Sequence, residues 1–132
     1  MGKVFVIDVE KCIGCLSCVV ACKDEYISND WSPYSKPQPE QGAYWIKVDA
    51  QERGTTPKVE VTYMPIPCMH CDNPPCLKAC PVNAISKRND GVVLINPTIC
   101  NGCKQIEGGS LCIKACPYDV IYFNNELGIA QK

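Results

Sequence analysis

The chain of 132 residues has one histidine, two tryptophans, two phenylalanines and no apolar stretch long enough to cross a bilayer. With His70 alone, no histidine–carboxylate pair stands beside a nucleophile, and no catalytic constellation is left to assign. Lys and Arg, 13 against 14 Asp and Glu, are scattered singly, which excludes the basic stripe a nucleic-acid partner needs. No nicotinamide or flavin fingerprint occurs. The apolar run near the start is too short for a signal peptide, and no twin-arginine pair accompanies it. The expected location is therefore cytoplasmic, or exported only with a partner carrying the signal, without direct membrane insertion.

What the chain has instead is cysteine, twelve in all. One group is Cys68, Cys71, Cys76 and Cys80, with Pro81 behind the last. The next is Cys100, Cys103, Cys112 and Cys116, followed by Pro117. A third copy of the spacing, Cys12, Cys15, Cys18 and Cys22, lacks the proline. Disulfides would suit a secreted chain, which the N-terminus does not support. Zinc ribbons also use paired Cys-x-x-Cys, but a tetrahedral zinc site has no need of a recurring three-plus-one pattern ending in Cys-Pro. That pattern is the ferredoxin arrangement for two cubane clusters, in which three thiolates come from one loop and the fourth residue ligates the neighbouring cluster. One [4Fe-4S] cluster is then expected on Cys68, Cys71, Cys76 and Cys116, the other on Cys100, Cys103, Cys112 and Cys80.

The N-terminal group is less determined. Cys12, Cys15 and Cys18 point to one cluster and Cys22 to another, with ligands supplied from outside this chain, or all four hold one cluster among themselves. At least two clusters follow, and three or four if further ligands are supplied. His70 is either a donor to its cluster or a side chain packed beside the loop, and it is not assigned as a ligand.

The expected fold is α+β: a ferredoxin-like 4Fe-4S cluster domain with a pseudo-two-fold repeat and an inserted β-hairpin. Residues 1–30 carry a strand over 3–9, the first cysteine group and a helix running from Cys18 to near Asn29. Residues 31–66 hold a proline-rich loop, in which Trp31 and Tyr34 either anchor a partner or cover their own core, and then strands at 43–49 and 58–64 about a loop at 50–57. Residues 67–127 are the two-cluster core, with each half read as cysteine loop, Cys-Pro, short helix and strand. Residues 128–132 are the C-terminal end, at which the chain is expected to stop short of a fourth cysteine group. The spacers 72–75 and 104–111 are expected on the surface. Ile7-Asp8 before Cys12 repeats as Ile95-Asn96 before Cys100, and Gly14 and Gly102 fall at one step of that repeat, where a residue without Cβ lets the chain wrap closely.

Cys12 to Cys22, Cys-x-His-Cys-x-x-Pro-Pro-Cys-x-x-x-Cys-Pro at 68–81, and Cys112 to Val120 together resemble the iron–sulfur subunits of the dimethyl sulfoxide reductase family of molybdopterin oxidoreductases. More narrowly, Asp24-Glu25, Asn29-Asp30-Trp31 and Glu52-Arg53-Gly54-Thr55 are similar to the small subunits of pyrogallol–phloroglucinol transhydroxylases. The resemblance implies a non-catalytic subunit that relays single electrons to or from a large molybdopterin-containing catalytic subunit, with a membrane anchor or soluble carrier at the far end. It also implies that a fourth cysteine group closes the cluster begun by Cys12, Cys15 and Cys18. The alternatives are a transhydroxylase-type small subunit serving a redox-neutral reaction, and a free-standing polycluster ferredoxin.

Overall fold

The structure, a computed structural model, describes residues 4–132. Residues 4–16 form no regular element. The strand expected over 3–9 is absent in its described part, and Lys3 lies outside the described residues. Val4, Phe5 and Val6 are 84%, 74% and 83% exposed. β-Branched residues favour a strand by packing on neighbours, and no strand among the described residues pairs with this segment.

Helix α1 (Ser17–Tyr26) follows, carrying Cys18 and Cys22. It ends before Asn29 because Asn29 folds back, its Nδ2 donating to the Glu25 carbonyl, while the Ile27 N–H closes on Lys23. The proline-rich segment beyond is a loop tied to the helix by Lys23. That buried ammonium donates to the carbonyls of Pro39 and Gly42 and lies 5.1 Å from the centre of the Tyr44 ring.

Strands β1 (Lys47–Thr55) and β2 (Lys58–Ile66) form an antiparallel ribbon in which Thr55 faces Lys58, so the turn is only Thr56-Pro57. The first strand therefore begins four residues later than 43–49 suggested and absorbs most of the expected loop. Ala50, Gln51, Glu52 and Arg53 give no apolar alternation because this part of the ribbon is exposed on both faces. The ladder satisfies its backbone without a buried side.

The core is one unit used twice. Helix α2 (Pro75–Ala79) leads to the hairpin β3 (Ile85–Lys87) and β4 (Val93–Ile95). Helix α3 (Leu111–Ala115) leads to the hairpin β5 (Tyr122–Asn124) and β6 (Ile129–Gln131). Each short helix carries the third cysteine of its group and ends just before the fourth, rather than following the fourth as the sequence suggested. Pro75 opens α2 in the first turn, where a missing N–H costs nothing, and Pro81 and Pro117 stand directly behind the cysteines that end the two helices. Cys80 and Cys116 are thus the extended C-caps, with φ of −79° and −78°. Asn83 and Asp119, three residues on, both take left-handed φ of about 50°, a conformation short polar side chains tolerate. The two helices pack on each other, and Ile85, Val93, Ile95, Ile121 and Ala130 close the core together with Cys76 and Cys112. The fold is the expected α+β, ferredoxin-like arrangement with a pseudo-two-fold repeat and an inserted hairpin.

Candidate iron–sulfur sites

Because each helix hands its terminal cysteine across the helix pair, the core cysteines sort into two cavities. Cys68, Cys71, Cys76 and Cys116 line one, walled by Pro74, Pro75, Val93, Val120 and Ile121. Cys80, Cys100, Cys103 and Cys112 line the other, walled by Val82, Ala84, Ile85, Ile95 and Ala130. Each cavity therefore takes three cysteines from one group and the fourth from the other.

The donor chemistry fits an iron–sulfur cluster. Four thiols face each space, and no carboxylate or imidazole lines either cavity. Soft thiolate sets suit iron–sulfur clusters and zinc alike. Sequence spacing separates them: a tetrahedral zinc site has no need of the recurring three-plus-one pattern that ends in Cys-Pro. Ligands of one zinc ion converge at about 2.3 Å from it, whereas those of a cubane stand apart at its corners.

Electrostatics groups the same residues. Burial pushes the Cys112 thiol up to about 12, and Cys100, Cys103 and Cys80 add to the rise. Burial likewise raises Cys76, with Cys68 and Cys116 adding to it. Thiolates crowded into low dielectric repel one another, so Cys76 and Cys112 hold their protons until a cationic inorganic core displaces them. Two backbone N–H groups already point at sulfur in the second cavity, from Ala84 to Cys80 Sγ at 3.3 Å and from Ala130 to Cys100 Sγ at 3.4 Å. Being backbone donors, they leave no trace in the sequence.

The N-terminal group is more open. Cys15 and Cys18 are exposed, whereas Cys76, Cys103 and Cys112 are buried. Cys12 and Cys18 line a cavity with Phe5, Val6 and Ile46, and Cys22 lines an adjoining one that shares Phe5 and Ile46 and continues to Tyr26, Trp45, Cys68 and His70. Cys22 is raised, chiefly by burial. His70 accepts the Val93 N–H at Nδ1, 2.9 Å away, and lies outside the Cys68–Cys116 cavity, which Met69 lines instead. Trp31 and Tyr34 are 47% and 54% exposed, and Tyr34 shares a cavity wall with the core residues Val93, Ile95 and Ala130. The spacers are exposed at Asp72, Asn73 and 107–109, and buried at Pro74 and Ser110, where the helices begin.

The sequence reading missed Lys87, whose Nζ donates to the carbonyls of Cys71 and Asp72. The period of two from buried Ile85 would have put it on the inner face of its strand.

The 4Fe-4S dicluster domain family matches residues 59–132, and a second family of the same description matches 11–84. The matches overlap, so the group 68–80 belongs to both. The chain is 41% identical over 127 residues to the pyrogallol hydroxytransferase small subunit of Pelobacter acidigallici, covering 96% of this chain and 43% of that protein. It is 43% identical over 119 residues to the arsenate respiratory reductase iron–sulfur subunit of Shewanella sp. strain ANA-3, covering 90% and 44%. It is 38% identical over 128 residues to the B subunit of tetrathionate reductase from Salmonella typhimurium, covering 96% and 44%. The chain thus spans less than half the length of these relatives. No helix among the described residues is long and apolar enough to cross a membrane.

Proposed function

Because this chain belongs to the 4Fe-4S dicluster domain family, we propose that it is an electron-transfer subunit with two [4Fe-4S] sites in its core, one on Cys68, Cys71, Cys76 and Cys116 and the other on Cys100, Cys103, Cys112 and Cys80. When bound, such clusters supply one-electron carriage. The observation that carries the proposal is the pair of apolar cavities, each faced by four cysteines drawn three and one from the two groups. The thiolates bind, the prolines and aliphatic side chains keep water from the sulfurs, and the Ala84 and Ala130 N–H groups stabilise negative charge on Cys80 and Cys100. Cys12, Cys15 and Cys18 serve a further cluster, and Cys22, on the adjoining cavity, serves another, with the remaining ligands from outside this stretch of chain.

The catalytic site belongs to a larger partner bearing molybdopterin, with a membrane anchor or soluble carrier as the other electron partner. Support comes from the relatives, which are small, iron–sulfur or B subunits of reductases and of a hydroxytransferase. It comes also from the β1–β2 ribbon, which adds surface without adding a cysteine.

Purification from the native cell under anaerobic conditions, followed by metal analysis of any large companion chain, tests the proposal. A molybdenum-containing companion is expected, and a soluble monomer would favour a free-standing ferredoxin. An artificial electron carrier should be oxidised or reduced in step with substrate. Substrate conversion with the carrier untouched would instead identify a redox-neutral complex of the hydroxytransferase kind.

A further inference from the structure

The repeat lets the two core cavities be compared position by position, and their outer walls differ. Lys87 and Phe123 each stand seven residues beyond the fourth cysteine of their group. In register, Lys87 faces Val93, and Phe123 faces Ala130. Both side chains reach the second cysteine loop of a group. A Cβ on Gly102, beside Cys103, would stand 2.5 Å from the Phe123 ring. Lys87 Nζ donates to the Cys71 carbonyl at 3.0 Å, the Asp72 carbonyl at 3.1 Å and Asp72 Oδ1 at 3.1 Å. The facing residues differ as well. Ala130 gives its N–H to Cys100 Sγ, whereas Val93 gives its N–H to the His70 ring. Where one half places an aromatic ring beside its cysteine loop and a strand N–H on Cys100 Sγ, the other places a cation on its cysteine loop and turns the matching strand N–H to His70.

We propose that Lys87 is a positioning residue that pins the Cys71 loop and raises the reduction potential of the cluster held by Cys68, Cys71, Cys76 and Cys116, so that the two core clusters are tuned by different devices. The proposal rests on the cluster assignment above. Reduction adds a negative charge, and a cation held nearby in a partly buried place favours the reduced state. Asp72 opposes this only weakly. The Lys87 side chain is 25% exposed, whereas that of Asp72 stands fully in solvent, where water screens its charge. Three acceptors hold the ammonium against the loop, so its distance from the cluster is fixed, not averaged over rotamers.

The test is a redox titration of the full chain, prepared anaerobically and followed by electron paramagnetic resonance, with iron and acid-labile sulfide measured alongside. Wild type is compared with K87R, which keeps the charge, K87Q, which keeps a donor without the charge, and K87M, which keeps neither. K87Q and K87M should lower one midpoint potential and leave the other unchanged, and K87R should leave both in place. Full iron in K87Q with both potentials unmoved, or both lowered equally, would overturn the proposal. If K87Q sheds iron from one site, K87R decides: full iron and unchanged potentials support the role, and the same loss refutes it. A wild-type chain without iron and sulfide would overturn the cluster assignment itself, and the Lys87 proposal with it.

Discussion

At the scale of single residues, two glycines show what close wrapping of a cysteine loop demands. Gly14 and Gly102 have φ of 68° and 65°, where an L side chain costs about 1–2 kcal/mol. The atoms nearest a Cβ on Gly14 belong to the Tyr63 ring, a side chain that can turn. A Cβ on Gly102 would stand 2.5 Å from the Gly128 carbonyl oxygen, which is backbone and cannot. G102A should therefore lower the melting temperature more than G14A, and equal losses in thermal unfolding would show that the β5–β6 turn yields. Tyr122 gives a pH prediction. Burial pushes its hydroxyl up to about 12, against an opposing hydrogen bond from Trp45 Nε1 at 3.0 Å. Its folded value lies above the ordinary value of 10, so the contribution is present below pH 10 and is lost as the pH climbs towards 12. Y122F should flatten stability against pH across that window; an unchanged slope would remove Tyr122 as the cause. Cysteine positions were legible at this scale because cluster ligation fixes their spacing. Lys87 and the Ala130 amide were not, since their roles depend on strand register, and the Ala84 amide reaches Cys80 Sγ only through the turn behind Pro81.

Among elements, the loop over 31–42 is held to the core by side chains far apart in sequence. Gln131 donates from Nε2 to the carbonyls of Lys36 and Pro37 and accepts at Oε1 from Tyr122 and buried Asn124. Q131A would leave several of these groups without partners, at about 1–3 kcal/mol for each that stays buried. The expected result is faster proteolysis within 31–42 with the iron content of the core unchanged; unaltered proteolysis would place the loop's anchorage elsewhere. The sequence displayed the β2 alternation of Val59, Val61 and Tyr63, yet hid most of β1, whose residues meet water on both faces. It hid β6 as well: three residues are too short for a period, and only the turn ending at Gly128 marks the return. The order of helix and fourth cysteine is hard to read because a proline can open a helix or close one, and Pro81 and Pro117 are stops. The crossing itself can be tested: C80S should empty the site of Cys100, Cys103 and Cys112 and spare that of Cys68, Cys71 and Cys76. Loss confined to the latter would show that each group ligates its own cluster.

On the scale of the whole molecule, the hydrophobic core is small and is shared with the sites, since Cys76 and Cys112 are among its buried members and Cys80, Cys100 and Cys116 pack against it. Without clusters, the core encloses cysteine side chains drawn from both halves; metal–sulfur bonds to bound clusters would tie the two halves of the repeat together. Folding and cluster binding should thus be coupled, as in other small metal domains. The measurement that tests this most directly is iron and acid-labile sulfide per chain in protein prepared anaerobically. At least two cubanes, about eight iron and eight sulfide, are expected from the paired four-cysteine sites. Zinc in place of iron, or iron and sulfide short of two cubanes, would contradict it.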